Sequence, residues 1–388
     1  MLKRLAYGLA VLLSVFSCTS EETPQAVGKV TLRFSTGNMS SATKADLSDA
    51  QRVADGSAIA KDGSGNPDLV ILIFENNDLK ASYPAVTPPV TPPVITGELN
   101  SFSDGAVSVD ASGNRTSFTP DEVVVTFSLP KAEKDYTVYC FANTTGLDWN
   151  ETRDGENLQK WRLKDQGKED FAKDILMDKS PGELDELKFE PLDGTLRPQR
   201  PELSQPDDIY TVTCMPLSAK GNLHVTSSGN GEVSLPLIRP VAKLTAIITN
   251  QTGDVLNLQN YEHSVNGIFA ETGYLLEHTP DDYADDEPDD LSVSSAFIPL
   301  SQDGSFPYSW YVFPSEGPYT VDVAFTVGGT PNTFLNLPIT NWRKQNILSL
   351  ERNQHLIVST RLSYGVTVSF NFEVQEWGKP ITPSVHFD

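Results

Sequence analysis

The sequence predicts a mainly β protein built from packed β-sandwiches, and three observations predict it. Short apolar runs recur along the chain and end in turn residues. The pattern restarts near residue 236. Only one stretch, residues 155–180, carries a helix-like broken apolar face. At 388 residues the chain is long enough for two domains, each with its own core.

At the amino end, Lys3 and Arg4 precede Leu5–Phe16, a short and almost wholly apolar run. Small Ser17 and then Cys18 follow. This is the layout of a secretory signal, with an apolar run too short to span a bilayer as a helix. Val15-Phe16-Ser17-Cys18 resembles a bacterial lipobox, in which cleavage falls before the cysteine and a lipid is attached to it. An ordinary signal peptide that happens to hold a cysteine is the plainer alternative. Thr19-Ser20-Glu21-Glu22 resembles the acidic surface-export signal of lipoproteins in Gram-negative gut and oral anaerobes. On this reading residues 1–17 are a lipoprotein signal peptide, and Cys18 is lipidated and tethered to the outer membrane. Cleavage there removes Lys3 and Arg4 and no acids, so the net charge moves from -23 to about -25. Such a charge argues against nucleic acid as a partner and suits a solvated exterior.

The strands follow in order. Val30–Phe34 alternates with period two and puts Val30, Leu32 and Phe34 on one face. The polar run Ser35–Asp46, continuing to Arg52, reads as a loop open to proteases, with Lys44 and Arg52 as cutting points. Leu69–Phe74 is a continuous apolar run closed by Glu75–Asp78, a buried strand and its turn. Val86–Val94 holds Pro-Pro twice and reads as an extended surface loop. Glu122–Leu129 and Tyr136–Phe141 are the next strands. Over residues 155–180, Leu158, Trp161, Phe171, Ile175 and Leu176 form the helical face, and Pro181-Gly182 is expected to end it. A second proline-rich loop, Arg197–Pro201, leads back into strands.

Leu237–Ile248 opens the second half. Asp281–Asp290 is acidic but lacks the spacing and glycine of an EF-hand, so it reads as a solvated loop. Trp310–Phe313, Tyr319–Val327, Asn346–Leu350 and Leu356–Leu362 read as strands. Val366, Val368, Phe370, Phe372 and Val374 then alternate cleanly with polar residues. After Trp377-Gly378 the parity switches, and Ile381, Pro383, Val385 and Phe387 share one face. Such a strand buries that face on its own domain or adds to the sheet edge of another subunit.

Little in the side chains points to catalysis or metal. Cys140 and Cys214 lie in strand-like runs and form either a disulfide or two buried thiols. Without CxxC or HxxxH spacing, neither a metal nor a cofactor is expected. No nucleophile elbow, P-loop, dinucleotide fingerprint or zinc helix is visible. His224, His263, His278, His355 and His386 are scattered and read as surface or strand residues. Carboxylates abound, but no pair is singled out, so no catalytic residue is expected. Trp149, Trp161 or Trp310 could stack on the sugar rings of a surface glycan. Of these, Trp310 reads as core and Trp149 as the better exposed.

Five segments together resemble the fimbrillins of type V fimbriae, over most of the mature chain and in the family's order. They are Pro67–Phe74, Tyr139–Gly146, Leu237–Leu244, Leu350–His355 and Val374–Trp377. The resemblance implies two transthyretin-like, Greek-key β-sandwich domains with a helical insertion in the first. These are residues 53–235 and 236–388, the second ending in a donor strand over 378–388. It further implies that residues 18–52 are a lipidated strand and cleavable propeptide, removed by a trypsin-like protease. A neighbour's Ile381, Val385 and Phe387 then replace Val30, Leu32 and Phe34, and the open-ended repeat builds a filament with other fimbrial subunits. The family's best-known stalk subunits are cut after arginine, whereas the matching place here is Lys44 and the next arginine is Arg52. An uncut relative would be an anchor. A tip subunit or a solitary glycan-binding surface lipoprotein, meeting a host or bacterial glycan or protein, is the other alternative.

Overall fold

The computed structural model describes residues 27–36, 56–87, 93–109, 115–148, 161–191, 214–268, 272–279, 289–341, 343–364 and 367–376. In the first half the apolar runs become β1 (Val27–Ser35), β2 (Leu69–Glu75), β3 (Asp78–Tyr83), β4 (Ile95–Thr96), β5 (Glu98–Ser103), β6 (Ala106–Val109), β7 (Arg115–Thr119), β8 (Glu122–Pro130) and β9 (Lys134–Ala142). Next come β10 (Trp161–Leu163), helices α1 (Ala172–Met177) and α2 (Pro181–Asp185), β11 (Lys188–Pro191), β12 (Leu217–Val225) and β13 (Gly231–Pro236). The second half holds β14 (Ala242–Gln251), β15 (Leu256–Ile268), β16 (Gly273–Tyr274), β17 (Asp289–Leu300), β18 (Ser305–Val312) and β19 (Ser315–Glu316). It closes with β20 (Thr320–Val327), β21 (Thr330–Pro338), β22 (Ser349–Leu350), β23 (Gln354–Ser363) and β24 (Thr367–Glu376).

The architecture is mainly β, as the sequence predicts. Two sheets, ordered β13-β1-β8-β5 and β12-β9-β2-β3-β4, close on one core. Val30, Leu32, Phe34, Val125 and Phe127 enter it from the first sheet, and Ile71, Ile73, Val138 and Leu223 from the second. Two more sheets, ordered β18-β14-β23-β24 and β17-β15-β20-β21, enclose a second core around Leu244, Tyr261, Trp310, Val321 and Val358. Inward and outward residues alternate as a two-layer β packing requires.

A third cluster welds these layers together. Tyr139, Phe141, Trp161 and Phe189 from the first half pack with Val241, Leu275, Tyr311 and Phe313 from the second. Here β16 extends the β10-β11 pair, aligning Tyr274 with Lys188 and Gly273 with Phe189. Fully buried Arg239 donates from Nη1 to Asn353 Oδ1 at 2.8 Å, and Arg352 Nη2 reaches the carbonyls of Ser218 and Ile238.

Four expectations need correction. The helix read over 155–180 is, among the described residues, only the single turn and a half of α1. Trp161 belongs to β10 and is 1% exposed, which removes it as a sugar platform. Pro181 starts α2 rather than ending a helix. Its missing N–H costs nothing at the first turn, and Ser180 and Glu183 form a capping box around it. Cys214 lies in irregular chain ahead of β12, because Pro216 delays the ladder until Leu217. Of Asn346–Leu350, only Ser349–Leu350 pairs as a strand.

Candidate functional site

The amino-terminal strand β1 lies inside its sheet, not at an edge. It runs antiparallel to β8, with Val30, Leu32 and Phe34 opposite Phe127, Val125 and Val123. On its other flank it runs parallel to β13, opposite Gly231, Val233 and Leu235. Val30, Leu32 and Phe34 are 0% exposed. The sequence-predicted face is therefore fully inserted, and removing β1 would open a slot with unpaired backbone on both walls.

The two faces of β1 carry different chemistry. Inward, Gly28 precedes Val30, and it meets the turn between β12 and β13. A Cβ placed on Gly28 would lie 2.1 Å from the Gly229 carbonyl oxygen, so no side chain fits there unless that turn moves. Outward, Arg33 Nε donates to Glu232 Oε1 of β13 at 2.8 Å, and its Nη1 lies 3.7 Å from Glu122 Oε1 of β8.

The carboxyl end of β1 is tied by a polar knot. The Thr36 amide donates to the Asp121 carbonyl, and the Asp121 amide donates back to Thr36 Oγ1, each at 3.2 Å. The Asp121 carboxylate, 1% exposed, accepts from the Ile59 amide at 2.8 Å and the Gly105 amide at 2.7 Å. Beside it, Asn143 sits in the left-handed region at φ 61. Its side chain donates to the carbonyls of Ala58 and Met215 and accepts from the Ala60 amide. Buried side-chain donors and acceptors thus stand in for a strand partner along Ala58–Ala60.

Among the residues predicted from sequence, Cys18, Lys44, Arg52, Ile381, Val385, Phe387, Trp149 and His386 lie outside the described residues. So does most of the acidic run 281–290. The preceding strand β24 forms one edge of its sheet, where Val368, Phe370, Phe372 and Val374 pack half-buried against the second core. Cys140 and Cys214 are free thiols, and burial pushes the Cys140 thiol well above its ordinary pKa. His263, buried on β15, is pushed down to about 4 by desolvation. Sequence reading missed β13, Gly28 and Asp121. The signal for β13 was present, since Ser227-Ser228-Gly229-Asn230 is a turn signature and Val233 and Leu235 alternate with polar residues.

A second concavity, about 330 Å³, lies where β2, β3 and α1 meet. Tyr83, Phe171, Asp62, Asp148, Asp174 and Lys173 are among the residues that line it. Phe171 is 60% exposed, and burial raises the Asp148 pKa.

No family model matches the sequence, and no curated protein matches it. Solved structures do. A candidate cell adhesion protein from Bacteroides eggerthii shares 13% identity at a TM-score of 0.44, covering 91% of this chain and 97% of that one. A candidate adhesin from Bacteroides thetaiotaomicron shares 10% identity at a TM-score of 0.40, covering 92% and 98%. A fimbrial anchor protein from Porphyromonas gingivalis shares 10% identity at a TM-score of 0.28, covering 90% and 98%. At these scores the functional argument rests on the chain's own residues.

Proposed function

We propose that this chain is a structural subunit of a cell-surface fimbria that contributes to adhesion and works without catalysis. In this reading it is exported as a lipoprotein on Cys18 and cut in the loop after β1 at Lys44 or Arg52. It polymerises when residues 378–388 of a neighbour replace β1. Residues 53–235 and 236–388 are then its two domains. One observation carries the reading: β1 is fully inserted between β8 and β13, yet its sequence link to the rest of the fold is the polar run 37–55, which holds Lys44 and Arg52. Three buried apolar side chains at roughly 1.5–3 kcal/mol each hold such a joint by several kcal/mol, before backbone hydrogen bonds are counted.

Brief trypsin treatment of the purified precursor tests the reading. Amino-end sequencing should find a single cut between Lys44 and Arg52, followed by SDS-resistant ladders. A cut without ladders removes polymerisation from the function. An uncut amino end makes the chain an anchor, with β1 kept in its own sheet.

The concavity beside Phe171 favours one rival, a surface glycan-binding protein, because exposed aromatic rings with nearby carboxylates suit sugar faces and hydroxyls. Glycan-array binding that is lost in Phe171→Ala, with ladders absent, would select it.

A further inference from the structure

The slot left by β1 has a shape, and that shape selects a direction and a register. Resting on the strand-replacement reading, we propose that residues 382–388 of a neighbouring copy enter the slot in the same direction as β1. Pro383, Val385 and Phe387 then take the places of Val30, Leu32 and Phe34, and His386 takes the place of Arg33.

Two faces support this register independently. Inward, the three vacated positions grow in size from Val30 through Leu32 to Phe34. Pro383, Val385 and Phe387 have the same spacing and the same order of size. Phe replaces Phe, Val replaces Leu at the loss of one methylene, and Pro nearly matches Val in volume. Reversing the strand would force Phe387 into the Val30 position and leave Pro383 in the Phe34 position. The first overpacks and the second leaves a cavity, and both are destabilising.

Outward, Thr382, Ser384 and His386 fall at Lys29, Thr31 and Arg33. When β1 departs with Arg33, Glu122 and Glu232 lose the cation that bridges β8 and β13. The incoming strand restores a basic side chain at that point and at no other outward position.

The same register sets Ile381 apart from its neighbours. Ile381 would fall at Gly28, where a Cβ meets the Gly229 backbone. Either the Thr226–Asn230 turn swings aside or the donor leaves the slot before residue 381. On either course Ile381 is not one of the residues that anchor the joint.

Engineered cysteines read the register directly. Arg33 lies opposite Ser234 on β13. In trypsin-treated full-length precursor, Ser234→Cys combined with His386→Cys should give intersubunit disulfides, mapped by mass spectrometry. Ser234→Cys combined with Ser384→Cys should not. Crosslinks through Ser384→Cys instead would overturn the direction, because a reversed strand with Phe387 at the Val30 position puts Ser384 there. Ladders in which neither pair crosslinks would overturn the register while leaving strand replacement standing. Unmodified precursor that is cut but forms no ladders would sink the underlying reading itself. Ile381→Gly should leave ladders as resistant to SDS as those of the unmodified chain, and weaker ladders would place Ile381 inside the joint and overturn the register.

Discussion

Thr36 and Ile59, which flank residues 37–55 on either side, are both tied to Asp121: Thr36 by its amide and its hydroxyl, each bonded to the Asp121 backbone, and Ile59 through the carboxylate. A cut anywhere between them leaves Thr36 and Ile59 both held on Asp121. β1 and the body of the first half share one buried clasp, which a cut in the intervening run leaves intact.

That clasp can be tested by removing its acceptor. Asp121→Ala leaves the Ile59 and Gly105 amides without their side-chain partner, and the precursor should lose about 2–4 kcal/mol in urea unfolding. Asp121→Asn keeps one acceptor oxygen and should lose less. Equal losses in the two variants would contradict this account.

Truncating the largest residue of β1 should loosen the whole strand. Phe34→Ala should cost about 3–5 kcal/mol and speed uptake of a synthetic peptide spanning residues 378–388 by the cut protein. Exposed Lys29→Ala, by contrast, should stay within about 0.5 kcal/mol of the parent.

The donor side makes the complementary prediction. Phe387→Asp would place a carboxylate in the Phe34 pocket, so ladders should be absent while monomer unfolding is unchanged. Pro383→Val should act in the opposite sense. A proline between two paired neighbours forfeits one ladder hydrogen bond. Restoring that N–H should strengthen the joint by about 0.5–1.5 kcal/mol, seen as ladders that survive a higher temperature in SDS.

Acid should weaken the second core. Burial lowers His263 from an ordinary value of 6.5 to about 4, so the unfolded chain binds the proton more readily than the folded one. Stability from the neutral ring is present above pH 6.5 and is lost as pH falls toward 4, by roughly 3 kcal/mol in all. Buried His355, also held low by desolvation, adds to the same slope. Thermal unfolding between pH 7 and 4 should show this loss, and His263→Phe should flatten it. A variant with an unchanged slope would exclude His263 as the source.

Much of this fold was legible in the sequence, for identifiable reasons. Val30, Leu32 and Phe34 alternate because one face of β1 is buried, and Leu69–Phe74 is continuous because β2 is covered on both faces. Trp161 was misread because a lone aromatic between charged residues has no period of its own. Its burial comes from Tyr311 and Phe313, far along the chain. The parallel pairing of β1 with β13 was hidden for a related reason, since it joins segments separated by most of the first half. Asp121 and Gly28 carry no motif at all. What they do depends on what the fold brings beside them.

The cluster that welds the two halves has a mechanical consequence. In a filament built by strand replacement, tension enters each subunit at the slot between β8 and β13 and leaves through the segment beyond β24. These points lie in different halves, so the pull is shared between the covalent link 237–241 and the contact of Trp161, Phe189, Tyr311 and Phe313 with the β11–β16 ladder. At the joint, a strand hydrogen-bonded along both flanks and pulled along its own axis is loaded in shear, with its bonds strained together and not one after another. Such a chain of subunits should resist stretching nearly as one rod, yielding first wherever this aromatic contact has been thinned.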